Sequence, residues 1–287
     1  MTAAMEFAAP ETVDEAVERL RDDAALALSG GTSLGLLLGQ GLVEPSALVW
    51  LGRIRALRQV TDAGDHLRIG ATVTLRELAR HPVVRSSLPA LASAAGHVGN
   101  PRIRAVATVG GALAHADPRQ DLPPALVALQ ATVVTRGPEG SRTFQVGELA
   151  TGWMDNVLDV GEVITEVRVP LVPGTRSVYL RYTPGSASDY PTVGAAAAVT
   201  RSDGWTLTSA RVALGGVGPT VIDVPETAAL AGHRDPPADA VASLATAASA
   251  RARPVDDRLG TADYKRAMAS VWARRALGAC LDQGPTP

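Results

Sequence analysis

The sequence predicts an α+β protein of two domains, the first with two α/β lobes and the second with a small antiparallel sheet covered by helices. Short β-like runs alternate with helical patterns up to the Leu171-Val172-Pro173-Gly174 turn. Three β-like runs follow that turn, and the pattern becomes helical after Pro225. At 287 residues the chain exceeds one average domain. We expect domains at 1–172 and 173–287, with lobes of about 1–58 and 59–172 in the first.

Capping signals and apolar periodicity predict the elements of the first domain. Thr12-x-x-Glu15 and Thr74-x-x-Glu77 are capping boxes, so a helix is expected after each. Pro82 ends the second of these helices. The other expected elements are strands at 25–28, 47–51, 66–70, 131–135 and 162–169, and helices from 34, at 88–98 and around 124–129.

The second domain is expected to begin as a meander and to end as helices. Its β-like runs are separated by turn residues, which favours antiparallel neighbours. The expected strands are 178–182, 193–200 and 205–214, and the expected helices are 226–231, 238–251 and 262–281.

Composition excludes several classes of function. A net charge of −2 gives no support to a nucleic-acid or anionic-membrane role. No apolar run is long enough to span a bilayer, so a cytoplasmic protein without a transmembrane segment is expected. Cys280 is the single cysteine, so this chain cannot ligate an iron–sulfur cluster through cysteines or form an internal disulfide. We expect Cys280 to be a small buried residue of a helix.

Two glycine pairs are the strongest candidates for a ligand site. Ser29-Gly30-Gly31-Thr32-Ser33-Leu34 stands between a strand and a helix, where free backbone N–H groups favour a phosphate. Thr108-Val109-Gly110-Gly111-Ala112 is expected to be a second loop in which the backbone approaches a ligand closely. Each alone is equally well a structural turn. Together they predict a diphosphate clamp for a nucleotide cofactor, although a Walker A lysine and a Gly-x-Gly-x-x-Gly motif are both missing.

The segment after the second glycine pair has two interpretations, a metal site or a turn with a ligand contact. His115-x-Asp117-x-x-x-Asp121 offers three metal ligands, but prolines break the helical register, and we assign no metal site. Asp117 is expected to cap a turn, and Asp121 to accept hydrogen bonds from a ligand. We assign no catalytic residue. Further candidates are arginines that could screen phosphate and aromatic residues that could lie against a cofactor ring: Arg102, Arg104, Trp153, Tyr179, Tyr182 and Tyr190.

Nearly the whole chain resembles the FAD-binding medium subunits of the molybdenum hydroxylases, the family of the carbon monoxide dehydrogenase and xanthine dehydrogenase flavoproteins. Besides the two glycine segments, the resemblance depends on motifs that are weak singly and specific together. These are Leu48-Val49-Trp50-Leu51, Arg102-Ile103-Arg104, Ala114-His115-Ala116-Asp117-Pro118, Asp121-Leu122-Pro123, the run from Gly161 to Pro170, Gly260-Thr261-Ala262-Asp263-Tyr264-Lys265-Arg266 and Arg274-Arg275-Ala276-Leu277.

The resemblance implies a two-lobed FAD-binding domain of the PCMH/VAO type and a C-terminal domain that closes over the cofactor. It implies that backbone N–H groups of both glycine segments hold the pyrophosphate, and that Arg181 takes the place of a lysine near the flavin. Two departures are Ala112, where the family commonly has Asn, and the segment after Arg181, which lacks basic residues. The implied cofactor contacts are Ser29, Gly30, Gly31, Thr32, Ser33, Leu34, Thr108, Val109, Gly110, Gly111, Ala112, Asp121, Ile164 and Arg181.

The implied function is electron transfer within a larger enzyme. Substrate is oxidised at a molybdopterin cofactor on a large partner subunit, and electrons pass through 2Fe-2S clusters on a small partner to FAD here and then to an external acceptor. The resemblance also allows a dimer of heterotrimers. Two alternatives stay open: a stand-alone FAD-dependent reductase or oxidase of related fold, and an assembly subunit without a cofactor.

Overall fold

The first lobe is a small parallel sheet with one helix on each connection. The computed structural model describes residues 5–282, so the ends of the two predicted domains, 1–4 and 283–287, lie outside the described residues. The lobe consists of β1 (Glu6–Ala8), α1 (Val13–Arg19), β2 (Ala25–Leu28), α2 (Leu34–Gly39) and β3 (Ala47–Trp50). The strand order is β1–β3–β2, and both pairs are parallel. The Thr12 hydroxyl accepts the Glu15 N–H at the start of α1, which confirms the predicted helix start.

The second lobe is built on a five-stranded antiparallel sheet of order β4–β5–β10–β6–β7. The capping box of Thr74 and Glu77 is present, and Pro82 ends α3 but also begins α4. The elements are β4 (Val60–Asp62), β5 (His66–Gly70), α3 (Leu75–Arg80), α4 (Pro82–Ser87), α5 (Pro89–His97), α6 (Pro101–Arg104), α7 (Val109–His115), α8 (Leu122–Ala128), β6 (Thr132–Gly137), β7 (Gly140–Gln145), β8 (Ala150–Gly152), β9 (Asp155–Asn156) and β10 (Val163–Pro170).

The second glycine segment is the first turn of helix α7, so the prediction of a loop at 108–112 is wrong. Thr108 is the N-cap, and its hydroxyl accepts the Gly111 N–H at 3.3 Å. Two adjacent glycines each lower helix propensity by about 1 kcal/mol, which is why the sequence pattern favours a loop. The turn is held by tertiary contacts, because the N–H groups of Val109 and Gly110 donate to carbonyls of the segment that follows β5.

The C-terminal domain is an antiparallel sheet of order β11–β12–β13–β14, with α10 packed against it and α9 packed against α10. The predicted meander is confirmed, whereas the helix expected at 226–231 is a 3₁₀ segment, Pro225–Leu230. The elements are β11 (Thr175–Tyr182), β12 (Val193–Arg201), β13 (Leu207–Gly215), β14 (Ile222–Asp223), α9 (Ala238–Arg251) and α10 (Ala262–Leu281).

Strand β12 is covered on both faces, which joins the domains. Its alternate residues Ala196 and Ala198 belong to the core of the second lobe, while Ala195 and Ala197 belong to the core beneath α9 and α10. Small side chains on both faces let helices approach the sheet closely from each side. Between residues 5 and 282, no helix is long and apolar enough to cross a membrane.

Candidate functional site

The two glycine segments meet where the two lobes touch. The Thr108 hydroxyl donates to the Ser29 hydroxyl at 3.0 Å. A Cβ added to Gly30 would lie only 1.9 Å from the Val106 carbonyl oxygen, so the backbones of the two lobes are in direct contact there. Glycine is required at this position because any side chain would separate the lobes. The predicted pairing of the segments is therefore present in the fold.

The first segment presents a run of backbone N–H groups that donate to no acceptor in the described part of the chain. Within residues 5–282, the N–H groups from Gly31 to Leu34 have no protein acceptor, and neither do the hydroxyls of Thr32 and Ser33. Gly31 has a φ of +68°, which turns the chain so that successive N–H groups point in similar directions. Such a concave run of N–H groups before a helix suits an anionic oxygen cluster. These residues are partly exposed, so the donors are accessible to a ligand.

The second segment does not offer free backbone donors, which corrects the sequence-based expectation. Val109 N–H donates to Val73 O at 3.0 Å and Gly110 N–H to Ala71 O at 2.8 Å, while the N–H groups of Gly111 and Ala112 are bonded to Thr108. A Cβ on Gly110 would lie 2.6 Å from Ala71 Cβ, so this glycine is required for packing within the lobe. The Thr108 hydroxyl is itself engaged with Ser29 and Gly111, so the free donors at the lobe junction are those of the first segment.

Asp121 lies in a buried cluster with two residues of β11. Its Oδ1 accepts the Tyr179 hydroxyl at 2.6 Å and lies 3.1 Å from Arg181 Nε. Burial raises the pKa of the Asp121 carboxyl, and the nearby Arg181 guanidinium opposes that rise. Burial, followed by the Asp121 charge, raises the pKa of Tyr179 well above its ordinary value. The prediction that Asp121 accepts hydrogen bonds from a cofactor stays a prediction, since Oδ1 already serves these protein partners.

Arg181 holds a loop of the C-terminal domain in place. Its Nη1 donates to His97 O and Ala187 O, both at 2.9 Å, and its Nη2 donates to Asp189 O. The loop 183–191 is therefore fixed to the end of α5 by one buried side chain. A direct contact between Arg181 and a flavin stays a prediction, whereas its hydrogen bonds to this loop are present in the structure.

A second arginine cluster was not foreseen from the sequence. Arg119 forms an ion pair with the buried Asp117 at 3.0 Å, and its guanidinium lies 4.9 Å from the Tyr190 ring centroid and 6.0 Å from that of Trp153. Arg119 N–H also donates to Asp117 Oδ1, so Asp117 caps this turn as predicted. The sequence signal for this cluster was the Asp117-Pro118-Arg119 run, but the aromatic partners of Arg119 lie in distant segments.

The other predicted residues are dispersed. Ile164 is buried in the core of the second lobe on β10, Ala112 lies half-buried on α7, and Arg104 donates to the Val98 and Gly99 carbonyls. Within residues 5–282, no group of His, Cys, Asp and Glu is placed to hold a metal ion.

Comparison with known families covers both domains. Residues 3–172 match the FAD binding domain in molybdopterin dehydrogenase, and residues 179–280 match the CO dehydrogenase flavoprotein C-terminal domain. The chain belongs to the flavoprotein family of the molybdenum hydroxylases. The predicted resemblance is thereby confirmed, and this flavoprotein is an oxidoreductase subunit whose cofactor is FAD.

Individual flavoproteins of this family align over almost the full chain. The sequence is 35% identical to the carbon monoxide dehydrogenase medium chain of Hydrogenophaga pseudoflava, covering 96% of each chain. It is 27% identical to the glyceraldehyde dehydrogenase medium chain of Sulfolobus acidocaldarius, covering 93% of this chain and 95% of that one. The solved carbon monoxide dehydrogenase of H. pseudoflava that lacks the Mo-pyranopterin moiety gives a TM-score of 0.91 with 98% of each chain covered. Quinoline 2-oxidoreductase from Pseudomonas putida 86 gives 0.88 at 29% identity, with 97% of each chain covered.

Proposed function

We propose that this flavoprotein carries electrons between subunits of a molybdenum hydroxylase. Substrate is oxidised at molybdopterin on a large partner, electrons pass through 2Fe-2S clusters on a small partner to FAD here, and FAD is reoxidised by an external acceptor. The relatives support this division because they are medium chains and subunits of named dehydrogenases. The single cysteine supports it as well, since this chain has no cysteine set for a cluster.

The observation that carries the proposal is the cradle of free donors at the lobe junction. We place the cofactor in the first domain, residues 1–172, with its diphosphate on the N–H groups from Gly31 to Leu34. The hydroxyls of Thr32 and Ser33 lie on the same segment and add neutral donors, while the Thr108 hydroxyl is bonded to Ser29 and joins the two segments. When bound, FAD supplies a redox centre that exchanges electrons singly or in pairs.

The two buried clusters of charged and aromatic residues position the domains relative to one another. The buried cluster of Asp121, Tyr179 and Arg181 fixes the C-terminal sheet against α8 and holds the loop 183–191. Arg119 adds a second fixed point by contacting Tyr190 of the same loop. These contacts hold the second domain against the cofactor domain.

The proposal is tested on the tagged full-length chain, purified from its native host with its co-purifying subunits. Flavin, iron and molybdenum are measured per chain, and the clusters and flavin are titrated with dithionite. Bound flavin together with iron, and flavin bleaching that follows cluster reduction, is the expected result. Flavin with turnover but without iron indicates a stand-alone flavoenzyme, and no flavin even after addition of FAD indicates an assembly subunit; either result contradicts the proposal.

A variant tests the placement of the cofactor. Gly31→Val forces a branched side chain into a left-handed backbone conformation and closes the donor run, so flavin per chain should fall at least tenfold. Gly64→Val is the matched control, because Gly64 also has positive φ, +92°, but lies in the β4–β5 turn away from the junction. Full flavin in the Gly31 variant would remove this segment from the site.

A further inference from the structure

Four exposed arginines on the helices of the second lobe have no acidic partner. They are Arg76 and Arg80 on α3, Arg85 on α4 and Arg102 on α6. Between residues 5 and 282, no carboxylate lies within ion-pair distance of any of them, whereas every arginine on the strands of this lobe is paired with an acid. We call these four arginines the basic surface.

The elements that carry the basic surface contain few acids. Residues 75–104, which form α3 to α6 and their connections, contain five arginines and one acid, a net charge of +4, whereas the whole chain carries −2. That acid, Glu77, is already engaged, because it accepts the Thr74 N–H at 3.0 Å and lies 3.3 Å from Arg58 Nη2. The positive charge of the basic surface is therefore not neutralised by its own helices, and it attracts an anionic partner.

The arrangement on α3 is not explained by folding. Arg76 and Arg80 are four residues apart, so they lie on one face of the helix. Like charges at this spacing destabilise a helix by about 0.2 to 0.5 kcal/mol. Helix α3 packs against both α4 and α6, so Arg85 and Arg102 lie on the elements next to it. A cost in stability without an ion pair in return indicates that these charges serve an interaction outside the chain.

The basic surface begins at the lobe junction. The Leu75 N–H at the start of α3 donates to Ala107 O at 2.9 Å, and Thr74 forms an isolated β-bridge with Thr108. Arg76 therefore lies in a helical turn that is bonded to the segment of the junction. A partner on this surface would lie close to the cofactor that we place at the junction, and electron transfer is fast only over short distances.

The composition of the basic surface fits a partner that binds only briefly. No large apolar residue of 75–104 is exposed. Permanent subunit interfaces have an apolar core, whereas weak redox encounters bury little surface and depend on complementary charge. An anionic membrane is a poorer partner, because stable attachment to a bilayer needs a second, apolar signal besides basic residues.

We propose that the basic surface is the docking site of an acidic electron-carrier protein that receives electrons from this subunit. The proposal rests on the proposed function, because it names the class of the external acceptor. The carrier gains the electrons that the reduced cofactor loses, and the protons of the cofactor go to water. Carboxylates of the carrier face the guanidinium groups in the encounter, so the attraction raises the association rate more than the affinity.

The test uses the tagged full-length chain, purified from its native host with its co-purifying subunits. The complex is reduced with dithionite in the absence of oxygen, desalted, and mixed with an acceptor by stopped flow. One acceptor is mitochondrial cytochrome c, which is basic, and the other is the same cytochrome made acidic by succinylation of its lysines. The acidic form should be reduced at least about tenfold faster at about 10 mM ionic strength. This preference should vanish at about 1 M, where the screening length is about 3 Å.

Paired variants assign the preference to the basic surface. Arg76→Gln with Arg80→Gln should slow reduction of the acidic cytochrome at least about threefold at low salt. Arg258→Gln with Arg274→Gln is the matched control, since these exposed arginines of the C-terminal domain also have no acidic partner among residues 5–282. That control should keep the wild-type rate, and so should Arg76→Lys with Arg80→Lys, which preserves the charge. Flavin and iron per chain should be unchanged in all three variants.

Other outcomes overturn the proposal in distinguishable ways. Equal rates for the two cytochromes in the wild type, or an equal loss in the two glutamine variants, contradict docking at the basic surface but leave the proposed function standing. Flavin lost from the Arg76 and Arg80 glutamine variant assigns these arginines to the cofactor, and iron lost assigns them to a resident subunit. Wild-type complex that sediments with phosphatidylserine vesicles, when this variant does not, assigns them to a membrane. Wild-type chain with flavin but without iron overturns the proposed function as well.

Discussion

Replacing Gly30 by alanine tests the lobe junction with a single methyl group. The added Cβ would lie 1.9 Å from the Val106 carbonyl oxygen and 2.6 Å from its carbon, whereas ordinary contact begins near 3.4 Å. Backbone atoms of the two lobes must therefore separate by about 1.5 Å at this point. Such a shift breaks the hydrogen bond from Thr108 to Ser29 and displaces the backbone donors that follow Ser29, so a diphosphate loses part of its hydrogen bonding.

The expected loss of FAD affinity follows from the hydrogen bonds that the shift would break. A hydrogen bond to a charged group contributes about 1.5 to 3 kcal/mol, so losing one weakens FAD binding about 10- to 150-fold. The assay is flavin per chain in the purified complex, followed by dialysis against decreasing FAD to obtain the dissociation constant. Circular dichroism at 222 nm checks that the variant has folded.

Gly35→Ala is the control from the same segment. Nothing lies within 4 Å of a Cβ at Gly35, and alanine in a helix is favoured over glycine by about 0.5 to 1 kcal/mol. This variant should bind FAD like the wild type. Equal FAD affinity in the Gly30 and Gly35 variants would refute the placement of the cofactor at the lobe junction.

Four further predictions concern the fold around the site. Tyr179→Phe leaves the buried Asp121 carboxylate short of one donor, so the free energy of unfolding should fall by about 1 to 3 kcal/mol. The calorimetric unfolding midpoint should then be lower by several degrees, and an unchanged midpoint contradicts the cluster. Gly110→Val should destabilise the fold and not merely displace a ligand, because the added side chain would collide with Ala71. The urea unfolding midpoint should be lower than that of the wild type, and an equal midpoint contradicts this. Lys265, the only lysine and 2% exposed, should resist amine acylation in the native protein and react after unfolding, as peptide mapping would show; native-state modification contradicts its burial. Burial raises the pKa of the Cys280 thiol to about 12, so Ellman's reagent at pH 8 should detect it only in denaturant; rapid reaction in buffer contradicts this.

Local signals in the sequence predicted most helices and strands correctly. Thr12 and Thr74 mark helix starts because their hydroxyls accept backbone N–H groups three residues on, which needs no tertiary partner. The apolar alternation from 162 to 169 predicted β10, a central strand of the second lobe, because alternate side chains of a strand face the core. That pattern is local in the sequence, although the strands that pair with β10 are distant along the chain.

What the sequence could not predict depends on contacts between distant segments. Gly110 looked like a ligand contact because glycine permits close approach, but the neighbour that it approaches is Ala71. Likewise, Arg181 was expected beside a flavin, and its carbonyl partners lie on α5 and on the loop 183–191. The pairing of Arg119 with Tyr190 and Trp153 joins segments far apart in the chain, so no local pattern could predict it.

The touching glycine segments have a consequence for the speed of cofactor exchange. Gly30 lies against Val106, and Ser29 is bonded to Thr108, through contacts made by the protein alone. Because the cradle is already formed, the chain need not become more ordered when FAD binds, and little binding free energy is lost in that way. A preformed cradle therefore favours slow release of a diphosphate that is bound on it. The subunit would then keep its FAD through many turnovers, as a prosthetic group instead of a diffusing cosubstrate.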